Sequence, residues 1–309
     1  MRLLWTGRFS GRRRHAPILA ACAIAWALVS LFGCASRAGS AAATTLEIAG
    51  SDTLVNLALK WAETYMNLHP EVRISVSGGG SGTGIASLTN GTIQIADASR
   101  QMTVEEIAEA KKNGVTPVEF TVAMDAIAVV INPENRILGL TLNQLSEIYK
   151  GSITSWKTVG GADRPIVLLS RESNSGTYMY FLERVVRMDQ KDNAALFSPE
   201  TLLMPSSQGI SVEVKQNPNA IGYDGLGYVT SDQKMVAVAR EPGTPYVLPS
   251  ARTVQDGSYP IARPLYMYTA GQPTGLVKEY MDWILGNAAG EGQTLVQNMG
   301  FVPLNREGQ

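Results

Sequence analysis

Three times in this chain a short strand-like run gives way to glycine, serine and threonine, and then to a run that reads as a helix. The three junctions are "GSDTL" (50–54), "GGGSGTG" (78–84) and "RESNSGT" (171–177). A chain punctuated in this way builds strand-to-helix units. Such units pack as α/β layers with mainly parallel sheets, and their junctions gather at the carboxyl ends of the strands. With 309 residues, 45% hydrophobic and 17% charged, the chain has material for one large or two ordinary packed domains.

The pattern continues along the chain. "LEIAGS" reads as a strand. "TLVNLALKWAETYMNLHP" is a helix whose apolar residues Leu54, Leu57, Ala58, Trp61, Ala62 and Tyr65 recur at three- and four-residue spacing, with Pro70 as its stop. "VRISVS" and "IQIADAS" are further strands. "TVEEIAEAKKNG" is a helix with a capping box at Thr103 and Glu106. "AIAVVINP" is an apolar strand of the kind buried on both faces. "TLNQLSEIYKG" is a capped helix, "IVLLS" leads as a strand into the third junction, and "GTYMYFLERVV" is the helix after it. "AIGYDGLGYV", "KMVAVA" and "PLYMYT" read as strands, and "TGLVKEYMDWILG" as a closing helix.

The chemistry of the junctions suits an anion. A helix start offers unpaired N–H groups and the positive end of the dipole. Glycine admits close backbone approach, and hydroxyls donate at low steric cost. Capping alone explains a lone junction of this kind; three of them, one beginning with Arg171, point to a ligand. Arg171 brings a permanent charge and a two-pronged fork for an oxyanion, with Ser173, Ser175 and Thr177 behind it. Arg100, directly after the "IQIADAS" strand, is a second candidate, with a surface ion pair as its ordinary alternative. "GGGSGTG" fits neither G-x-G-x-x-G nor the P-loop, which needs a lysine. No junction fits G-x-S-x-G. Beyond residue 33 the single histidine is His69, so histidine triads and histidine-rich metal sites lack raw material.

Residues 1–33 read as an export signal: five arginines with no acid, then an apolar run ending at "LFGC". The run is near the lower limit for a membrane span, the alternative reading. Cys34 stands where a bacterial lipobox, which this segment resembles, places its lipidated cysteine, and residues 34–43 read as a tether. Without residues 1–33 the chain carries 21 basic and 27 acidic residues, a formal charge of −6. No basic run remains for nucleic acid, so anion capture must rest on local groups.

Taken in order, "AGSDTL", "SGGGSGTGIASLTNGTIQIADASRQM", "VVINPEN", "LNQLSEIYKGSITSW", "SRESNSGTY", "AIGYDGLGYV" and "GFVPL" resemble the phosphate-binding proteins of bacterial ABC importers. The resemblance implies a two-lobed periplasmic-binding-protein fold of type II, with residues about 44–130 and 240–309 in one lobe, 131–239 in the other, and the ligand in the cleft. It implies inorganic phosphate as ligand and contacts from Ser51, Thr53, the backbone of Leu54, Ser81, Gly82, Arg171, Ser175, Gly176 and Thr177, to which the position after the strand adds Arg100 as a candidate. Together with the lipobox reading of Cys34, it implies an exported monomer, lipid-anchored to the outer face of the cell membrane or periplasmic, serving permease subunits, with no cofactor, metal or enzymatic step. The alternatives are another tetrahedral oxyanion (sulfate, tungstate or molybdate), a phosphate sensor, or a phosphatase on the same scaffold. Well-known members carry aspartates where this chain has Arg100 and Ser173. A site carboxylate accepts a hydrogen bond from a protonated oxygen and repels fully ionised sulfate. Asp125 either supplies that acceptor or pairs with an arginine at a hinge.

Overall fold

The computed structural model describes residues 44–190, 192–286 and 291–304; the expected export segment and the tether with Cys34 lie outside them. The first strands are β1 (Thr44–Gly50), β2 (Val72–Ser77), β3 (Ile95–Ala98) and β4 (Val118–Ile131). Then come β5 (Gly139–Thr141), β6 (Val167–Arg171), β7 (Leu202–Met204), β8 (Ala220–Gly225), β9 (Lys234–Ala239) and β10 (Ala262–Thr269). The early helices are α1 (Asp52–Leu68), α2 (Ser81–Thr89), α3 (Val104–Lys112) and α4 (Leu142–Tyr149). The later ones are α5 (Gly176–Phe181), α6 (Ser207–Gln216), α7 (Ala251–Gln255), α8 (Gly275–Leu285) and α9 (Glu291–Asn298).

The helices form where periodicity and caps place them. All six apolar residues of the α1 stripe are buried, and the Trp61 indole donates to Gly292 O at 2.8 Å. Each large side chain in such a stripe contributes about 2 kcal/mol through burial. The capping box of α3 closes between Thr103 and Glu106, and that of α4 between Thr141 and Gln144.

The strands order as β2-β1-β3-β10-β4-β8-β6-β7, with β9 also on β4 and β5 on β9. Parallel pairs dominate toward the flanks. The antiparallel pairs all involve β4 or β10, through which the chain passes between two halves. β4 is longer than the apolar run "AIAVVI" predicts. Its residues 118–126 pair with β10, and residues 127–131 pair with β8.

Each half has its own core. Leu46, Ile48, Leu57, Trp61, Val122, Leu265 and Met281 belong to the first, and Ile127, Val129, Leu145, Tyr149, Phe181 and Tyr223 to the second. Along β4 the changeover falls between Ala123 and Ala126, slightly before the expected residue 130. Val254, Tyr259 and Ile261, expected in the first lobe, pack into the second core. Among the described residues no helix is long and apolar enough to cross a membrane.

Candidate functional site

The three junctions follow the carboxyl ends of β1, β2 and β6, and the fold brings them face to face. At their meeting point the hydroxyls of Thr53 and Thr177 lie 2.8 Å apart, both fully buried. Thr53 opens α1 from the first half; Thr177 opens α5 from the second. Ser81, the first residue of α2, places its Oγ where the Ser99 amide donates at 3.0 Å, with Ser99 Oγ at 3.3 Å. Gly176 faces these serines across the cleft. A Cβ there would lie 2.5 Å from Ser99 Oγ and closer still to Ser81 Oγ, so only glycine lets the walls meet.

Ser175 caps α5, its Oγ accepting from the amides of Thr177 and Tyr178. Ser51 is buried beside Thr53, and its Oγ has no hydrogen-bond partner among the described residues. The Leu54 side chain is core, and its amide donates to Ser51 O at 2.9 Å. The Gly82 amide crosses the cleft and donates to Asn174 O at 3.0 Å; Asn174 Nδ2 returns a bond to Gly79 O at 2.8 Å. The rim of the cleft is thus stitched by backbone groups of the second and third junctions.

Arg171 is buried, and each nitrogen of its fork donates within the protein, leaving one Nη1 N–H without a partner among the described residues. Its Nη2 meets Asp52 Oδ2 at 2.7 Å, Nη1 donates to Ser207 Oγ at 3.0 Å, and Nε donates to Met204 O. Asp52 comes from the opposite half, and its Oδ1 accepts from the Gly79 amide at 3.0 Å. One carboxylate therefore touches the first junction's own helix, the second junction's backbone and the third junction's cation. Behind Arg171, burial pushes the Asp224 carboxyl up to about 6, with the Arg171 charge and a Ser207 hydrogen bond opposing.

Two sequence candidates land elsewhere. Arg100 is not brought among the hydroxyls. Its guanidinium makes a two-pronged pair with Glu106, both contacts at 2.7 Å, and also donates to Gln101 O. The capping glutamate of α3 has captured it on the flank of α2. Asp125 takes the hinge arrangement, under the threonine pair. Its Oδ2 pairs with Arg263 at 3.1 Å, and its Oδ1 accepts from the Leu226 amide at 3.1 Å. Burial raises its pKa, and the Arg263 charge opposes the shift.

Sequence reading missed both Arg263 and Asp52. Arg263 stands on β10 with 1% exposure. Its Nη2 donates to Thr177 Oγ1 at 2.9 Å and Thr53 Oγ1 at 3.3 Å, and its Nη1 to Ser99 O at 2.8 Å. "IARPLYMYT" carries no local signal for this, because the partners lie 86 to 210 residues away in the chain. Asp52 was visible within "GSDTL", where it reads as an ordinary acid in a helix first turn. Altogether the cluster presents hydroxyls and two buried cations on its walls and one carboxylate at its lip. Among the described residues no group of three or more histidine, cysteine or acidic side chains is placed to hold a metal.

Comparison with known proteins identifies the family. A family model described as a PBP superfamily domain matches residues 35–288. The phosphate-binding protein PstS of Pseudomonas aeruginosa is 34% identical over 276 residues, covering 84% of this chain and 83% of that protein. PstS of Bacillus subtilis is 31% identical, covering 85% and 82%. A putative phosphate ABC transporter substrate-binding protein from Clostridium perfringens, solved with bound phosphate, superposes with a TM-score of 0.74 at 31% identity, over 85% of this chain and all of that one. The chain belongs to the PBP superfamily, among the PstS-type phosphate-binding proteins.

Proposed function

We propose that this protein captures inorganic phosphate in the cleft between its two halves and delivers it to an ABC importer. The observation that carries the reading is the convergence of three glycine- and hydroxyl-rich junctions on one buried point beside two buried arginines. Hydroxyls and backbone amides replace the water around an oxyanion with fixed donors, and the two guanidinium charges favour the anion. Ser51, Thr53, Ser81, Ser175, Gly176, Thr177 and Arg171 form the walls in this reading; Arg100 supports α2 from outside. Asp52, at the cleft lip, is the acceptor available to a protonated phosphate oxygen.

Binding and release need no covalent step, and the role assigned is that of a carrier rather than an enzyme. In this reading the protein works outside the cytoplasmic membrane as a monomer, held there through Cys34 and docking on the permease subunits. A second reading, a carrier of sulfate, molybdate or tungstate, draws on Arg100 and Ser173 standing where relatives of known pattern keep aspartates. Isothermal titration of the purified protein with phosphate, arsenate, sulfate, molybdate and tungstate separates the two. Phosphate and arsenate are expected to bind and sulfate to bind far more weakly. Tighter binding of sulfate or tungstate than of phosphate would overturn the phosphate assignment.

A further inference from the structure

We propose that Arg263, held by Asp125, is a positioning residue that turns the free proton of the Thr53–Thr177 pair toward a bound oxyanion and locks the three junctions to one another. The proposal rests on the oxyanion-binding role above and concerns a residue outside the three motifs.

The argument is one of proton bookkeeping. A guanidinium has five N–H donors and no acceptor, and each threonine hydroxyl has one proton. Arg263 Nη2 has two protons for three acceptors, Thr177 Oγ1 at 2.9 Å, Asp125 Oδ2 at 3.1 Å and Thr53 Oγ1 at 3.3 Å, so the Thr177 lone pair facing it is taken and Thr53 shares a proton with Asp125. The two hydroxyls are 2.8 Å apart, which uses one of their two protons. The second proton has no acceptor among the described residues, and the cation repels it. It is therefore turned away from Arg263. A deprotonated ligand oxygen satisfies it there; a ligand O–H does not.

The same side chain reaches the second junction. Its Nη1 holds the Ser99 carbonyl at 2.8 Å, and the Ser99 amide and hydroxyl both lie against Ser81 Oγ. One buried cation thus sets the hydroxyls of all three walls. Asp125 makes this possible. With Arg263 1% exposed and Asp125 fully buried, their pairing offsets the cost of placing a charge in the interior. The Tyr180 ring, 5.5 Å from the guanidinium carbon, covers another side.

The test is a double-mutant cycle on phosphate affinity, measured by titration carried to millimolar phosphate. Arg263→Lys keeps the charge against Asp125 but gives up the fork; Thr177→Val removes one hydroxyl that Arg263 sets. Arg263→Lys alone is expected to weaken phosphate about tenfold or more, as loss of a charged hydrogen bond does. In the Thr177→Val background the same change is expected to cost a clearly smaller factor, because its target is gone. A purely structural role would lower the unliganded melting temperature and give the same factor in both backgrounds. Equal factors, or an Arg263→Lys affinity equal to wild type, would overturn the proposal. Wild-type protein that binds no tetrahedral oxyanion would instead refute the function on which it rests.

Discussion

Gly176→Ala tests the site with a single methyl. The added Cβ would sit 2.5 Å from Ser99 Oγ and nearer to Ser81 Oγ, against ordinary contacts that begin at 3.4 Å. Both serines are buried and hydrogen-bonded to each other, so neither yields readily. The cleft walls must then part by about 1 Å, a gap that forfeits close contact across it. Three cross-cleft bonds stretch beyond bonding range: Thr53 to Thr177 at 2.8 Å, Asp52 to Arg171 at 2.7 Å and the Gly82 amide to Asn174 at 3.0 Å. Two neutral bonds at about 1 kcal/mol and one charged bond at about 2 kcal/mol give about 4 kcal/mol, or roughly a thousandfold in affinity. Because neither core is touched, the unliganded variant should still fold and melt cooperatively. Calorimetric titration with phosphate, paired with melting curves with and without ligand, reads both quantities. A variant that binds phosphate within about threefold of wild type would show that the walls do not close on Gly176 in the bound state.

Other substitutions separate the remaining roles. Asp52→Asn removes the lip carboxylate and is expected to narrow the preference for phosphate over sulfate by about tenfold or more, measured by parallel titrations; an unchanged ratio would assign the discrimination elsewhere. Arg100→Ala is expected to leave phosphate affinity within about twofold and to lower stability by about 1 kcal/mol, the scale of a part-exposed ion pair, as read by urea unfolding. Asp97, on β3, is 1% exposed with one carboxyl oxygen unpartnered, and burial pushes its pKa up to about 8. The folded chain thus binds a proton there that the unfolded chain releases near pH 4. Stability from this group is full below about pH 4 and is lost as pH rises toward 8, by up to about 1.4 kcal/mol per unit. Asp97→Asn should flatten that slope, making the variant's advantage larger at pH 8 than at pH 5 in thermal melts.

Local features of the fold were legible and distant ones were not. The α1 stripe and the α3 and α4 caps are signals carried within a few residues, and each formed as expected. The junctions could be recognised as a candidate site because strand, glycine and hydroxyl stand side by side in the chain. Arg100 shows the limit of that reasoning. It does follow a strand, but a glutamate six residues on holds it more closely than any ligand position across the cleft. The first half of β4, "VEFTVAMD", lacks the continuous apolar run of its second half, and its membership is decided by β10 more than 130 residues later. The central antiparallel pairs share this origin, since alternation of strand and helix says nothing about a strand that returns late. Arg263 was hidden for the same reason: a charge in a strand has no meaning until the topology supplies Asp125 and the threonines.

The place of β10 between β3 and β4 bears on how the chain acquires its shape. Residues 95–131 are made long before residues 262–269, so during synthesis β3 and β4 each wait with an unpaired edge. The second core has most of its strands by residue 239 and can consolidate earlier. Such late, long-range pairing slows folding, and open strand edges invite pairing with other chains. The strand that carries Arg263 is therefore also the one that seals the sheet. A chain truncated before residue 262 would lose the first half's integrity together with the site, however complete its three junctions remained.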